Sequence, residues 1–104
     1  MLRKRSGMFK LIVAILPKGK IRAIMPALKD AGIFGATVFS GKGLCTEEGR
    51  RTIGLQIGSS RDVLILLTLD VNREKLVKVL EKHGSLKDPG QGIVFVMDVS
   101  QVIG

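Results

Sequence analysis

The stretch Asp62-Val63-Leu64-Ile65-Leu66-Leu67-Thr68-Leu69 decides the fold of this chain. Its side chains from Val63 to Leu67 are apolar at successive positions, so a strand formed here is apolar on both faces of its sheet. Further apolar segments predict strands at residues 9–16, 35–40 and 93–99, and helical spacing predicts helices at residues 20–31 and 73–83. Gly32 is expected to end the first helix, and Asn72 to cap the start of the second.

The order of these elements, βαββαβ, predicts a ferredoxin-like α+β fold. In that fold a four-stranded antiparallel sheet carries both helices on one face. Two helices leave the second face uncovered, although the strands are apolar on that side too. We therefore expect other subunits to cover the second face, which makes the protein an oligomer.

The composition of the chain favours one small domain with an anionic ligand or partner. The chain has 104 residues, 45% of them hydrophobic, and a formal charge of +8. Arg3, Lys4 and Arg5 carry part of this charge, and residues 1–7 are expected to be a disordered basic leader before a single domain at residues 8–104. Cys45 is the only cysteine, which excludes an intrachain disulfide and favours a reducing, cytoplasmic location.

Two glycine-rich segments are candidate ligand-binding elements. Residues 41–60 predict a long, mobile loop with a short helical turn after Thr46. The second segment, Asp88-Pro89-Gly90-Gln91-Gly92, leads directly into the last strand. Its glycines allow close approach of the backbone to a ligand, and their N–H groups are suited to an anion.

Several function classes that use this fold are disfavoured by the sequence. An RNA-recognition motif needs aromatic residues on its central strands, and residues 62–69 contain none, so no nucleic-acid partner is predicted. A metal-transfer domain needs paired cysteines, which a chain with Cys45 alone lacks. His83 is interpreted as a residue that stabilises a helix C-terminus, and no nucleophile–base pair is evident. No catalytic or metal-ligating residue is therefore assigned, and the protein is not expected to be an enzyme.

Four segments resemble the P-II nitrogen-regulatory proteins. Residues 11–17 resemble the family's first strand with its terminal proline, and residues 31–38 resemble its helix-to-strand signature. Gly41-Lys42-Gly43 resembles the start of the family's T-loop, and residues 89–96 resemble its B-loop and last strand. The resemblance implies a homotrimer that binds an adenine nucleotide (ATP, ADP or AMP) between subunits. It also implies that residues 41–60, as the T-loop, control a partner protein such as a membrane transporter or a metabolic enzyme.

The resemblance also implies which residues bind the ligand. Thr37 would contact the adenine ring, and glycine backbone would reach the ribose and phosphate. The positions carried over from the family are Thr37, Gly41, Gly43, Gly90 and Gly92. Lys42 and Lys87 are candidates because they would supply charge in the two loops, and with Gln91 they complete the set of ligand-binding candidates.

This sequence departs from the family pattern at the phosphate-binding positions. Ile93 stands where the B-loop has a phosphate-binding lysine, and the sequence ends at Gly104 without the family's C-terminal arginines. Leu44 and Cys45 replace the arginine and glutamine that follow the start of the T-loop. We therefore expect weak ATP binding, with AMP less affected. The alternative function is a non-catalytic trimeric scaffold that has lost nucleotide binding.

Overall fold

The protein is built around a four-stranded antiparallel sheet. The computed structural model describes residues 3–4, 8–43, 46–53, 60–88 and 90–104. Its elements are β1 (Arg3–Lys4), β2 (Phe9–Pro17), α1 (Lys20–Asp30), β3 (Ala36–Lys42), α2 (Glu47–Ile53), β4 (Ser60–Leu69), α3 (Asp70–His83), β5 (Ile93–Asp98) and β6 (Val102–Ile103). The main sheet has the order β3-β4-β2-β5, and β1 pairs with β6 separately. The predicted ferredoxin-like α+β fold is confirmed.

The hydrophobic core lies between α1, α3 and one face of the main sheet. Alternate residues of the two central strands point into it and are buried, as are one stripe of α1 and one of α3. The buried set includes Ile12, Ala14, Leu16, Ile21, Ile24, Leu28, Leu64, Leu66, Leu76 and Leu80. Each fully buried Leu or Ile contributes about 1.5–3 kcal/mol relative to an exposed one. This face therefore fixes the two helices on the sheet.

The opposite face of the sheet, here called the open face, is also apolar. It is formed by the other alternating set of the three strands β2, β4 and β5, which pair in register: Leu11, Val13, Ile15, Val63, Ile65, Leu67, Ile93, Phe95 and Met97. None of these side chains is fully buried, and Met97 is 48% exposed. The sequence-based prediction that the strands are apolar on both faces is confirmed, and a subunit that covers the open face stays a prediction.

The end of α1 agrees with the sequence-based prediction, and the start of α3 does not. α1 ends as predicted at a left-handed glycine, Gly32 (φ 91°), and the N–H of Ile33 returns to the carbonyl of Leu28 at 3.4 Å. The predicted cap at Asn72 is wrong, because α3 begins at Asp70, three residues before the predicted start, directly after β4. The N–H of Asp70 donates to the carbonyl of Met8 at 2.8 Å, so a neighbouring segment satisfies one of the N–H groups that the start of a helix leaves without a partner in the helix.

The segment at residues 41–60 contains regular structure at both ends and in the middle. β3 extends to Lys42, and β4 begins at Ser60. The predicted helical turn after Thr46 is confirmed as α2, whose first turn is capped by a hydrogen bond from the N–H of Gly49 to Oγ1 of Thr46 at 2.9 Å. Residues 44–45, with Cys45, and residues 54–59 lie outside the described residues, and the mobility of this segment stays a prediction.

The N-terminal segment is described only at Arg3–Lys4. These two residues pair with Val102–Ile103 as an antiparallel strand. At these positions the structure differs from the expected disordered leader, and the other residues of the 1–7 segment lie outside the described residues. Among the described helices, none is long and apolar enough to cross a membrane.

Candidate functional site

A buried arginine joins the two glycine-rich segments of the chain. Arg61, near the start of β4, lies in register between Gly41 of β3 and Pro17 of β2. Its side chain is enclosed, with the residue only 4% exposed, and its Nη2 donates to the carbonyl of Gly90 at 3.0 Å. Arg61 therefore lies beside the base of the 41–60 segment through its place in the sheet, and its side chain reaches the turn before β5.

The guanidinium of Arg61 is not fully satisfied. Its Nη1 is buried and has no hydrogen-bond partner, and no carboxylate among the described residues forms an ion pair with it. A buried donor without a partner costs about 1–3 kcal/mol, and more when the group is charged. Buried charges in proteins are normally paired, so this vacant donor fits an anion supplied by a ligand.

The turn at Gly90 and Gly92 packs tightly against β2. Gly90 and Gly92 have φ values of 78° and 142°, which L side chains rarely adopt. A Cβ added at Gly92 would stand 2.2 Å from the carbonyl oxygen of Ile15 and 3.0 Å from Cδ2 of Leu16. Gly92 thus permits close packing of the turn against β2 of the same chain. A role of Gly92 in ligand binding stays a prediction.

The candidate residues of β3 lie on the exposed edge of the sheet. Thr37 is in register with Ile65, and Gly41 with Arg61, so both belong to the same side of β3 as the open face. Lys42 pairs with Ser60 and is exposed, and Gly43 follows the strand directly. A Cβ added at Gly41 would meet no atom within 4 Å, so this chain by itself does not require glycine there.

The candidates of the last loop divide into two groups. Gln91 stays beside the Gly90 turn, where its N–H donates to the carbonyl of Asp88 at 3.4 Å. Lys87 is exposed and lines a depression at the end of α3, together with Lys78 and Lys82. The structure therefore brings Gly41 and Gly90 together at Arg61, within one protomer, and places Lys87 in a separate depression.

A polar network beside Arg61 holds the edge strand. The carboxylate of Asp62 accepts from the N–H of Gly19 at 2.8 Å and from the hydroxyl of Ser40 at 2.7 Å. These two hydrogen bonds, chiefly the one from Gly19, lower the pKa of Asp62, and the charges of Lys18 and Arg22 lower it further. The carboxylate is therefore ionised and ties β3 and the turn before α1 to β4.

A cleft of about 640 Å³ lies between α1 and β3, next to this network. Its polar wall includes Lys18, Arg22 and Asp62, and its apolar wall includes Met25 and Val38. Both oxygens of the Asp62 carboxylate are already engaged, and the two cations are exposed. The cleft is therefore lined by satisfied or solvated groups, whereas the vacant donor lies at Arg61.

Sequence patterns did not single out Arg61. It is one of 17 basic residues, and it stands at the polar start of a strand, where a charge is usually solvated. The signal that identifies it is the strand register, which places it opposite Gly41, together with its burial. Neither is available before the fold is known.

Comparisons with known proteins agree with this fold. The family model described as "Nitrogen regulatory protein P-II" matches residues 9–104. A search of curated protein sequences found no match. Among solved structures, the B. subtilis GlnK–ATP complex is similar with a TM-score of 0.68 and 16% identity, over 93% of this chain and 86% of that one. Arabidopsis thaliana PII bound to citrate is similar with a TM-score of 0.70 and 21% identity, over 90% and 79% of the two chains.

At 16% and 21% identity, the two structural similarities show the fold alone. The family match, in contrast, extends over nearly the whole chain. With its ferredoxin-like sheet and the match over residues 9–104, the chain belongs to the P-II family of nitrogen regulatory proteins.

Proposed function

We propose that this protein is a trimeric regulator that binds a nucleotide or another small anion in clefts between its subunits. Ligand binding would change the surface of the 41–60 segment and so control a partner protein, such as a membrane transporter or a metabolic enzyme. The protein would act in the cytoplasm and without catalysis.

The observation that carries the proposal is the convergence of two glycine segments at Arg61. Gly41 begins the 41–60 segment, and Gly90 belongs to the turn before β5. An anion bound at this point touches the base of the segment that would signal. Binding can then alter that segment without a change in the core, which lies on the opposite side of the sheet.

The open face supports assembly into a trimer. Its apolar side chains span three adjacent strands, and Phe95 and Met97 at one margin are 41% and 48% exposed. A contiguous apolar surface of this kind is unfavourable in water and is normally covered in an oligomer. Membership of the P-II family and the similarity to GlnK and PII structures add to this support.

The protein is proposed to bind ATP weakly. Ile93, the first residue of β5, pairs with Ile15 on the open face, and its apolar side chain offers no charge to a phosphate. Each charge-assisted contact that is lost weakens binding by about 1.5–3 kcal/mol. A ligand with fewer charges, such as AMP or a small carboxylate, depends on fewer of these contacts.

Light scattering combined with calorimetric titration tests the proposal. The wild-type protein is titrated with AMP, ADP, ATP, a cyclic dinucleotide and citrate, and its mass is measured under the same conditions. The proposal expects a trimer, with one binding site per subunit for at least one of these ligands. A monomer at micromolar concentration would remove the cleft between subunits. A trimer that binds none of the ligands would favour the scaffold function.

A further inference from the structure

The edge of the main sheet at β3 is open along the strand. β3 (Ala36–Lys42) is the outermost strand on its side of the sheet, so half of its backbone N–H and C=O groups face away from β4. All seven residues are exposed, Val38 to 47%, and no proline or charged side chain interrupts the strand before Lys42. Sheet edges are usually protected by such residues or by a covering segment. β3 therefore has the properties of a strand that accepts another strand.

The cleft of about 640 Å³ between α1 and β3 forms a groove along this edge. Val38 is in register with the core residue Leu64, so its side chain lies on the helix side of the sheet. The open face is on the other side. A subunit that covers the open face in the proposed trimer therefore leaves this groove accessible.

The groove carries positive charge at one end and apolar side chains at the other. Lys18 and Arg22 are exposed, and neither forms an ion pair among the described residues. Asp62 does not neutralise them by direct contact, because its oxygens are engaged by Gly19 and Ser40. The first turn of α1 contains no acidic residue. Exposed cations of this kind suit an acidic protein segment better than a buried small ligand.

Resting on the proposed function, which expects a partner protein, we infer that this groove binds an extended acidic segment of the partner as a strand added to β3. Backbone hydrogen bonds to the free edge provide affinity, and alternate side chains that enter the groove provide specificity. An antiparallel segment begins at the Ser40 end, beside Lys18 and Arg22, and continues toward Met25 and Val38. The groove therefore selects acidic residues first and apolar residues after them, at every second position.

The position of β3 connects such a partner with the 41–60 segment. β3 ends at Lys42, inside that segment, and Gly41 is in register with Arg61 at the candidate ligand site. A partner strand paired with β3 therefore lies next to the part of the chain that the proposed ligand alters. Docking at β3 gives the partner a fixed anchor, and the 41–60 segment gives it the signal.

NMR titration of the wild-type protein with a synthetic peptide tests the inference. The peptide is Glu-Thr-Glu-Thr-Val-Thr-Val, which has the seven-residue length of β3 and places its glutamates and valines on one face. We expect the amides of β3 to shift and those with free N–H groups to exchange more slowly with solvent. The charge-reversed peptide Lys-Thr-Lys-Thr-Val-Thr-Val should bind more weakly, and the affinity of the acidic peptide should fall as the salt concentration rises.

Two N-methylated versions of the acidic peptide test the addition of a strand. Alternate residues of a strand direct their backbone N–H groups to opposite edges. Methyl groups on the odd-numbered residues block one edge of the peptide, and methyl groups on the even-numbered residues block the other. We expect one version to bind and the other to lose binding, because only one edge of the peptide contacts β3. The two versions have nearly the same composition and charge, so each is a control for the other.

Arg22→Glu and Val38→Thr test the two ends of the groove, with Lys29→Glu and Val71→Thr as matched controls. Lys29 is an exposed cation of α1 outside the groove, and Val71 is 85% exposed on α3. Arg22→Glu should weaken the acidic peptide by about 3- to 10-fold, because an attraction becomes a repulsion. Val38→Thr keeps a β-branched side chain and removes apolar contact, so its affinity should also fall. Both controls should bind as the wild type does.

Each outcome decides between the proposals. Absence of amide shifts at about 1 mM acidic peptide overturns the inference, and the proposed function stands if the wild type still binds a nucleotide. Equal binding of both methylated versions, or of the acidic and charge-reversed peptides, also overturns the inference. Slow exchange of all β3 amides without peptide would mean that a second copy already occupies the edge, which overturns it too. Peptide binding by a protein that binds no small anion supports the inference and contradicts the ligand part of the proposed function. If a groove variant does not fold, the methylated peptides decide.

Discussion

Substitution of Gly92 by alanine should destabilise the protein strongly. Gly92 lies at φ 142°, and an added Cβ would stand 2.2 Å from the carbonyl oxygen of Ile15. That distance is far inside van der Waals contact, and the neighbouring atom belongs to the backbone of a central strand. The turn must therefore move away from β2, or the strand must distort.

The expected cost can be estimated from two contributions. Holding alanine in a backbone conformation that side chains rarely adopt costs about 1–3 kcal/mol. Relief of an overlap with a packed neighbour typically costs a further 1–3 kcal/mol, about the cost of overpacking a core. The sum is about 2–6 kcal/mol. At about 4–8 °C per kcal/mol for a domain of this size, Tm should fall by at least about 8 °C.

Thermal unfolding followed by circular dichroism measures this change. The control is Gly41→Ala, because a Cβ at Gly41 meets no atom within 4 Å. This control should change the free energy of unfolding by less than about 0.5 kcal/mol. The variants must be compared at one protomer concentration, because the stability of an oligomer depends on it. A Tm for Gly92→Ala within about 2 °C of the wild-type value would refute the packing argument.

Three other substitutions test separate parts of the structure. Ile65→Asp places a charge in the middle of the open face and should convert the trimer to monomers in light scattering; an intact trimer would show that another surface holds it together. Asp62→Asn should lower the free energy of unfolding at neutral pH, because it removes the stability that the ionised carboxylate provides. The folded pKa of Asp62 lies below the ordinary 3.8, so this contribution is complete above pH 3.8 and is lost as the pH falls through the folded pKa. Equal unfolding free energies of wild type and this variant at neutral pH would contradict that role. Leu80→Ala removes a fully buried side chain and should cost about 2–5 kcal/mol in urea unfolding, and a cost below about 1 kcal/mol would place Leu80 outside the core.

The sheet was predictable because its signal is local and repeated. Residues 63–67 are apolar at successive positions, which is typical of a strand with two buried faces, and glycines bound the neighbouring elements. The two helices carry apolar residues at helical spacing, and Gly32 ends the first of them with the expected left-handed conformation. These features depend on side chains within a few residues of each other.

The start of α3 was not predictable from local rules. Asn72 has the side chain of a helix cap, but the donor at the helix start is satisfied by Met8, which is distant in sequence. Gly84 is a related case, because it ends α3 in an ordinary right-handed conformation (φ −84°). It is glycine for space, since a Cβ there would stand 2.5 Å from the carbonyl oxygen of Leu80. Only the packed structure distinguishes these reasons.

The candidate site was predictable in part. The glycine segments that begin at Gly41 and Gly90 were identified by composition and by the family resemblance, and the structure brings both to Arg61. Arg61 itself was not identified, because its importance arises from burial and from a vacant donor. Both are properties of the fold, and a basic residue before an apolar strand gives no sign of them.

A crystal structure of the trimer with AMP would test the central claim most directly. The proposed function predicts that the phosphate of AMP lies at Arg61, with an oxygen within hydrogen-bond distance, about 3 Å, of Nη1. The ligand should lie against Gly41, at the base of the 41–60 segment. A bound AMP whose phosphate contacts other residues, with Arg61 still bonded to Gly90 alone, would contradict the claim.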